Sequence, residues 1–193
     1  MHKPQCVNID NVVSTPFVPP VGKMSKFSAG VVWLHGLGDS GAGWSFLQHE
    51  IGASLATAVG GPLKWVFPTA PTAPVTCNGG FSMTSWMDLD AIPVRRPLYP
   101  YLKTQSFGLS PSIVLICILR AQVAPGCTDA VDDIKASIAI VHGHIDEMVA
   151  EGIPANKIVV GGFSQGGCMS LVSTLSYPKK YGLSQSKTLG IYN

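Results

Sequence analysis

The chain has 193 residues, 46% of them hydrophobic and 12% charged, with a formal net charge of +2. This length suits one domain with a sizeable core. The small charge and scattered Lys and Arg exclude a nucleic-acid-binding surface, and the longest apolar run, Ile113 to Leu119, is too short to cross a bilayer.

Residues 1–28 read as a flexible N-terminal arm, rich in proline and without helical period. Gly30 to Leu34 is a short apolar, β-branched run of the kind that forms a buried parallel strand. It leads into His35-Gly36-Leu37-Gly38-Asp39, a loop whose glycines permit unusual backbone angles. Trp44, Leu47, Ile51, Leu55 and Ala58 fall at helical spacing, so one helix is expected over 44–58, stopped by Gly60-Gly61-Pro62. Leu63 to Phe67 reads as a second buried strand, and strand–helix–strand predicts a right-handed parallel crossover. Residues 71–91 read as a turn-rich loop. Residues 93–127 read as an atypical insertion, proline-rich and then apolar, with a strand expected only at 113–119.

Order returns at Val131. Val131, Ile134, Ile138, Val141, Ile145, Met148 and Val149 step by three and four, which predicts a long amphipathic helix ended by Gly152 and Pro154. Thr128 or Asp129 suits its start, and Asp132 and Asp133 suit the positive end of its dipole. Lys157 to Gly161 reads as a strand and Gly166 to Tyr177 as a helix. No element is expected in the tail, 183–193.

Between that strand and helix lies Gly162-Phe163-Ser164-Gln165-Gly166. A GxSxG run placed in this way is a nucleophile elbow: a sharp turn lifts the serine hydroxyl above the sheet. Gly162 and Gly166 are the elbow glycines, letting strand and helix cross closely. The Gln165 amide opens a helix, where unpaired N–H groups favour anions, so it suits an oxyanion hole. The second donor is expected from the loop after the first strand, at the Leu37 amide. That loop has no GxGxxG and no Lys-Ser/Thr, so it is not read as a nucleotide site.

A serine needs a base to take its proton. No His, Asp or Glu follows Ser164; all five His and all eleven acids precede it. The elbow fold normally places its acid and then its His after the serine. His142 and His144 are expected on the surface of the long helix, and His49 on the surface of the first. His35 is expected to brace its loop, Asp39 and Asp88 to hold loops by local hydrogen bonds, and Cys168 to pack in the core. The five Cys show neither metal spacing nor CxxC, which predicts reduced thiols in a cytoplasmic protein and no metal site. No apolar run follows Met1 to Gln5, so no secretory signal is expected.

Four segments together resemble the acyl-protein thioesterase / carboxylesterase / lysophospholipase family. They are Trp33 to Asp39, Pro71 to Thr76, Ser85-Trp86-Met87-Asp88, and Ile153-Pro154 through Gly167. The resemblance covers roughly 30–91 and 129–182, in the family's order. It implies an α/β-hydrolase fold, with a mostly parallel sheet flanked by helices, here C-terminally truncated. Residues 29–182 would form that partial domain and 183–193 an unrelated tail. It implies hydrolysis of acyl esters or thioesters without a cofactor, on acylated proteins or lysophospholipids. Ser164 would be the nucleophile, Leu37 and Gln165 the oxyanion hole, and Trp86 a substrate-binding residue at the acyl entrance. Two functions stand side by side: a serine hydrolase, or a catalytically incompetent family member that at most binds acyl chains.

Overall fold

The computed structural model describes residues 25–89, 128–177 and 189–191. The expected strand at 113–119, most of the arm and all of the insertion at 93–127 lie outside them. A four-stranded parallel sheet organises the rest. Its strands are β1 (Ala29–Leu34), β2 (Leu63–Val66), β5 (Ile158–Phe163) and β6 (Leu189–Ile191), in the order β2-β1-β5-β6. Every residue of β1 is buried, as its unbroken apolar run requires of a central parallel strand.

Alternation along the strands divides the core into two faces. Val32, Leu34, Ile158 and Val160 face the long helix α4 (Thr128–Ala150) and the helix α5 (Gln165–Ser176). The α4 stripe closes over them through Ile134, Ile138, Val141, Ile145 and Met148. Gly30 lies under Met148, whose sulfur fills the space a Cβ would need. The opposite face carries Val31, Trp33 and Val159. There Trp44 packs at a tilt against both Trp33 and Phe163, at ring-centroid distances of 5.7 and 5.2 Å.

The single helix expected over 44–58 is instead three pieces: α1 (Gly41–Trp44), α2 (Leu47–Glu50) and α3 (Gly52–Val59). Ser40 and Ser45 bond locally to the backbone of the first turn, the local competition that makes serine a poor interior helix residue. Ile51, at φ −120°, breaks the path again. The apolar spacing therefore survives without one continuous face. Ile51, Leu55 and Val59 remain 41, 36 and 42% exposed. With Val31, Trp65 and Val159 they line an open groove of about 560 Å³.

Two further elements depart from expectation. The supposed loop at 71–91 contains an antiparallel hairpin, β3 (Thr72–Val75) and β4 (Phe81–Thr84), turned by Gly79 and Gly80 at positive φ. Pro74 is tolerated because a two-stranded ribbon leaves an edge without a partner. The tail supplies β6, which pairs with Gly161 to Phe163. Three residues joined by backbone hydrogen bonds need no side-chain pattern, so the sequence carries no trace of them. Among the described residues no helix is long and apolar enough to cross a membrane.

Candidate active site

Ser164 follows the last residue of β5 and precedes the first of α5, and it is exposed. Its φ of 52° and ψ of −117° make it the one non-glycine residue with positive φ among those described. That conformation is costly for an L-residue and persists only where surrounding packing enforces it. Here the enforcement is visible. A Cβ on Gly162 would come within 2.5 Å of the Gly166 carbonyl oxygen, and one on Gly166 within 2.5 Å of the His35 carbonyl oxygen. Only glycine allows the end of β5, the start of α5 and the end of β1 to meet this closely. The serine side chain does not cap α5, which leaves its hydroxyl clear of the helix.

The same close approach brings the loop after β1 to the elbow. In that loop Gly38 N–H donates to the Thr84 carbonyl at 2.8 Å and Asp39 N–H to the Gly36 carbonyl at 3.2 Å. Among the described residues, neither the Leu37 amide nor the Gln165 amide donates to a protein acceptor. The structure thus brings the elbow, the Leu37 loop and the N-terminus of α5 together.

His35 is wholly buried, as a loop brace should be. Ala70 N–H donates to its Nε2 at 3.0 Å, so Nδ1 carries the proton and donates to the Gly36 carbonyl at 2.6 Å. Both ring nitrogens are used, and neither is available to Ser164. Asp39 accepts from Ser40 N–H and the Trp44 indole, and Asp88 from the Thr76 amide and hydroxyl; both serve their own loops. His49 lies on the exposed side of α2 and Cys168 in the core.

His142 corrects an expectation. It is 2% exposed, not on the helix surface, because α5 packs over it. Its Nε2–H donates to the Ser173 carbonyl at 2.8 Å, and Tyr177 meets its ring edge-on at 5.0 Å. Burial lowers its pKa, against opposing pulls from the Ser173 carbonyl and the Asp146 carboxylate. At 1.5 Å per residue, Ser173 lies roughly 12 Å along α5 from the elbow. His142 is therefore no base for Ser164. His144, on the next face, contacts Glu147 at 3.3 Å.

Trp86, expected at an acyl entrance, has no exposed surface. It packs against the His35 ring at 5.3 Å, and its indole N–H donates to the His35 carbonyl at 2.9 Å. Three buried polar partners around it escaped the sequence reading. The Gln165 side chain accepts from Trp86 N–H at 2.8 Å and donates to Ser85 Oγ at 3.0 Å and the Met87 carbonyl at 2.8 Å. Ser85 Oγ donates to the Met87 carbonyl and Ser137 Oγ to the Trp86 carbonyl, both at 2.6 Å. A signal existed for two of them. Ser137 falls within the apolar stripe of Ile134, Ile138 and Val141. Gln165 opens a helix so poor in charge that it must be buried on most sides. A buried polar group at such positions implies a partner.

The family model described as phospholipase/carboxylesterase matches residues 21–96 and 122–184. A protein of Oryza sativa subsp. japonica named as a probable carboxylesterase is 39% identical over 171 residues, covering 89% of this chain and 51% of the relative. Acyl-protein thioesterase 1 of Schizosaccharomyces pombe is 33% identical over 153 residues, covering 79% and 52%. The crystal structure of Arabidopsis thaliana SOBER1 matches with a TM-score of 0.55 at 30% identity, covering 80% of this chain and 58% of that one. The chain spans about half the length of the curated relatives it matches.

Proposed function

From the premise that this chain belongs to the phospholipase/carboxylesterase family and has its α/β-hydrolase fold, we propose that it cleaves acyl esters or thioesters through Ser164. The observation that carries this reading is the strained, exposed serine at the β5–α5 turn, packed by glycines against the Leu37 loop. The hydroxyl oxygen would attack the acyl carbonyl carbon. The oxyanion so formed would accept from the Leu37 and Gln165 amides, which no other described residue engages. Loss of the alcohol or thiol would leave an acyl-serine for water to hydrolyse. S-acylated proteins and lysophospholipids are the proposed substrates; the former are supported by the name of the Schizosaccharomyces pombe relative. Five cysteines without a pairing pattern support a reducing, cytoplasmic setting. We read 93–127 as an insertion, supported by the interruption of the family match between 96 and 122.

A second reading, a non-catalytic family member, is favoured by the occupied ring nitrogens of His35 and the remote seat of His142. A fluorophosphonate probe and a short p-nitrophenyl ester decide between them. Serine labelling and ester turnover, both abolished in Ser164→Ala, support the hydrolase. Absence of both from the folded chain supports the non-catalytic reading. Where labelling occurs with slow turnover, the oxyanion hole acts without its base, a state that retains roughly 10³- to 10⁴-fold acceleration over water.

A further inference from the structure

The buried hydrogen bonds around Trp86 form a chain with informative ends. One end is Gln165, whose amide is a proposed oxyanion donor. The other is the His35 carbonyl, two residues before Leu37, whose amide is the second. We propose that the Gln165 carboxamide and the Trp86 indole together fix the separation of the two oxyanion-hole amides, making both side chains positioning residues. This deepens the reading of Ser164 as a nucleophile and rests on it for the role of the hole.

The geometry is specific at each link. One side-chain amide makes three hydrogen bonds to residues 85–87: its oxygen accepts from Trp86 N–H, and its nitrogen donates to Ser85 Oγ and the Met87 carbonyl. These partners fix which end of the carboxamide is oxygen, so the group cannot flip without losing bonds. The tripeptide is thereby clamped to the first residue of α5. Trp86 carries the constraint onward, through its indole N–H to the His35 carbonyl and its ring against the imidazole. Ser137 holds the Trp86 carbonyl from α4, so the link is braced from a third element. His35 cannot swivel, because Ala70 and Gly36 hold its two ring nitrogens. On the outer side, the bond from Gly38 N–H to the Thr84 carbonyl keeps the loop from lifting.

Every side chain in the chain is buried: Trp86 and His35 completely, with Ser137, Gln165 and Ser85 at 2, 4 and 6% exposure. Hydrogen bonds in such surroundings are electrostatically strong, and a partner left unmatched is costly. The function gained by rigidity here is distance control. An oxyanion hole works when its donors sit within about 0.5 Å of the required place, held by neighbours that cannot repack. Apolar packing alone would fill the space beneath the loop without fixing that distance.

The test uses the full chain with Trp86→Phe, which keeps a ring but loses the N–H, and Gln165→Met, which keeps length but loses all three bonds. Val172→Ala, a core truncation on α5 away from the network, is the control for general loosening. Hydrogen exchange is followed at the Gly38 and Asp39 amides. The expected result is exchange roughly fivefold faster in both variants, matching the loss of a net hydrogen bond, and unchanged in Val172→Ala. The maximal rate of Ser164 phosphonylation by the fluorophosphonate should also fall roughly tenfold, without a change in the probe concentration giving half that rate. Unchanged loop exchange in both variants, or an equal rise in Val172→Ala, overturns the proposal. If the unsubstituted chain is not labelled, the hydrolase reading fails, and the exchange comparison alone decides whether the network positions the loop. Should Gln165→Met not fold, Trp86→Phe decides.

Discussion

Ser164 is held at a backbone angle that glycine adopts without strain and alanine does not. Ser164→Gly should therefore unfold at higher denaturant than Ser164→Ala, by about 1 kcal/mol after the entropy of the unfolded glycine is counted; urea unfolding of the two variants checks this. The neighbouring glycines behave oppositely. Gly166→Ala drives a methyl into the carbonyl oxygens of Leu34 and His35, which are backbone and cannot step aside. It should cost about 2 kcal/mol or more in the same assay. His142 sets a pH dependence. Its folded pKa lies below the ordinary 6.5 because it is buried, so the unfolded chain takes up the proton first as pH falls. Its contribution is present above pH 6.5 and is lost as pH falls through the folded value. Melting temperature should drop as pH falls from 6.5 through the folded value, with a shallower slope in His142→Asn.

The elements that sequence made legible are those whose side chains face a large packed surface. In α4, the buried Ile134, Ile138, Val141, Ile145 and Met148 reproduce the spacing that predicted the helix. Ile138→Ala should cost about 2–4 kcal/mol, measurable by denaturant unfolding, because a large wholly buried side chain leaves a cavity. β1, β5 and the elbow are similarly visible, since a strand buried on both faces must be apolar throughout. What stayed hidden has backbone causes. The β3–β4 hairpin hides behind Pro74 and the Gly79-Gly80 turn, and β6 is made by pairing alone. The break at Ile51 is a dihedral event inside an intact apolar period. At the site, the serine and its glycines are a linear pattern and read as one. The Gln165–Trp86–His35 chain joins residues far apart in sequence, and no spacing rule links them.

At the scale of the whole molecule, the described elements cover the sheet unequally. α4 and α5 seal one face, while Ile51, just before α3, and Leu55 and Val59 within it stay partly exposed along the groove on the other. An open apolar surface of that kind binds hydrophobic dyes. The folded chain should enhance ANS fluorescence at pH 7.5, and Leu55→Lys with Val59→Lys should reduce the enhancement severalfold while Ser164 labelling is retained. The strand order has a consequence in time. β1 sits at the centre of the sheet beside β5, yet Gly30 pairs with Ile158, made roughly 130 residues later, and at ribosomal speeds that delay is on the order of ten seconds. Once β2 has been made, β1 has one of its two described neighbours in the sheet and still awaits the other, β5. The parallel arrangement that lifts the serine thus obliges each new copy to pass its first seconds with its central strand half-paired, a state suited to capture by a chaperone.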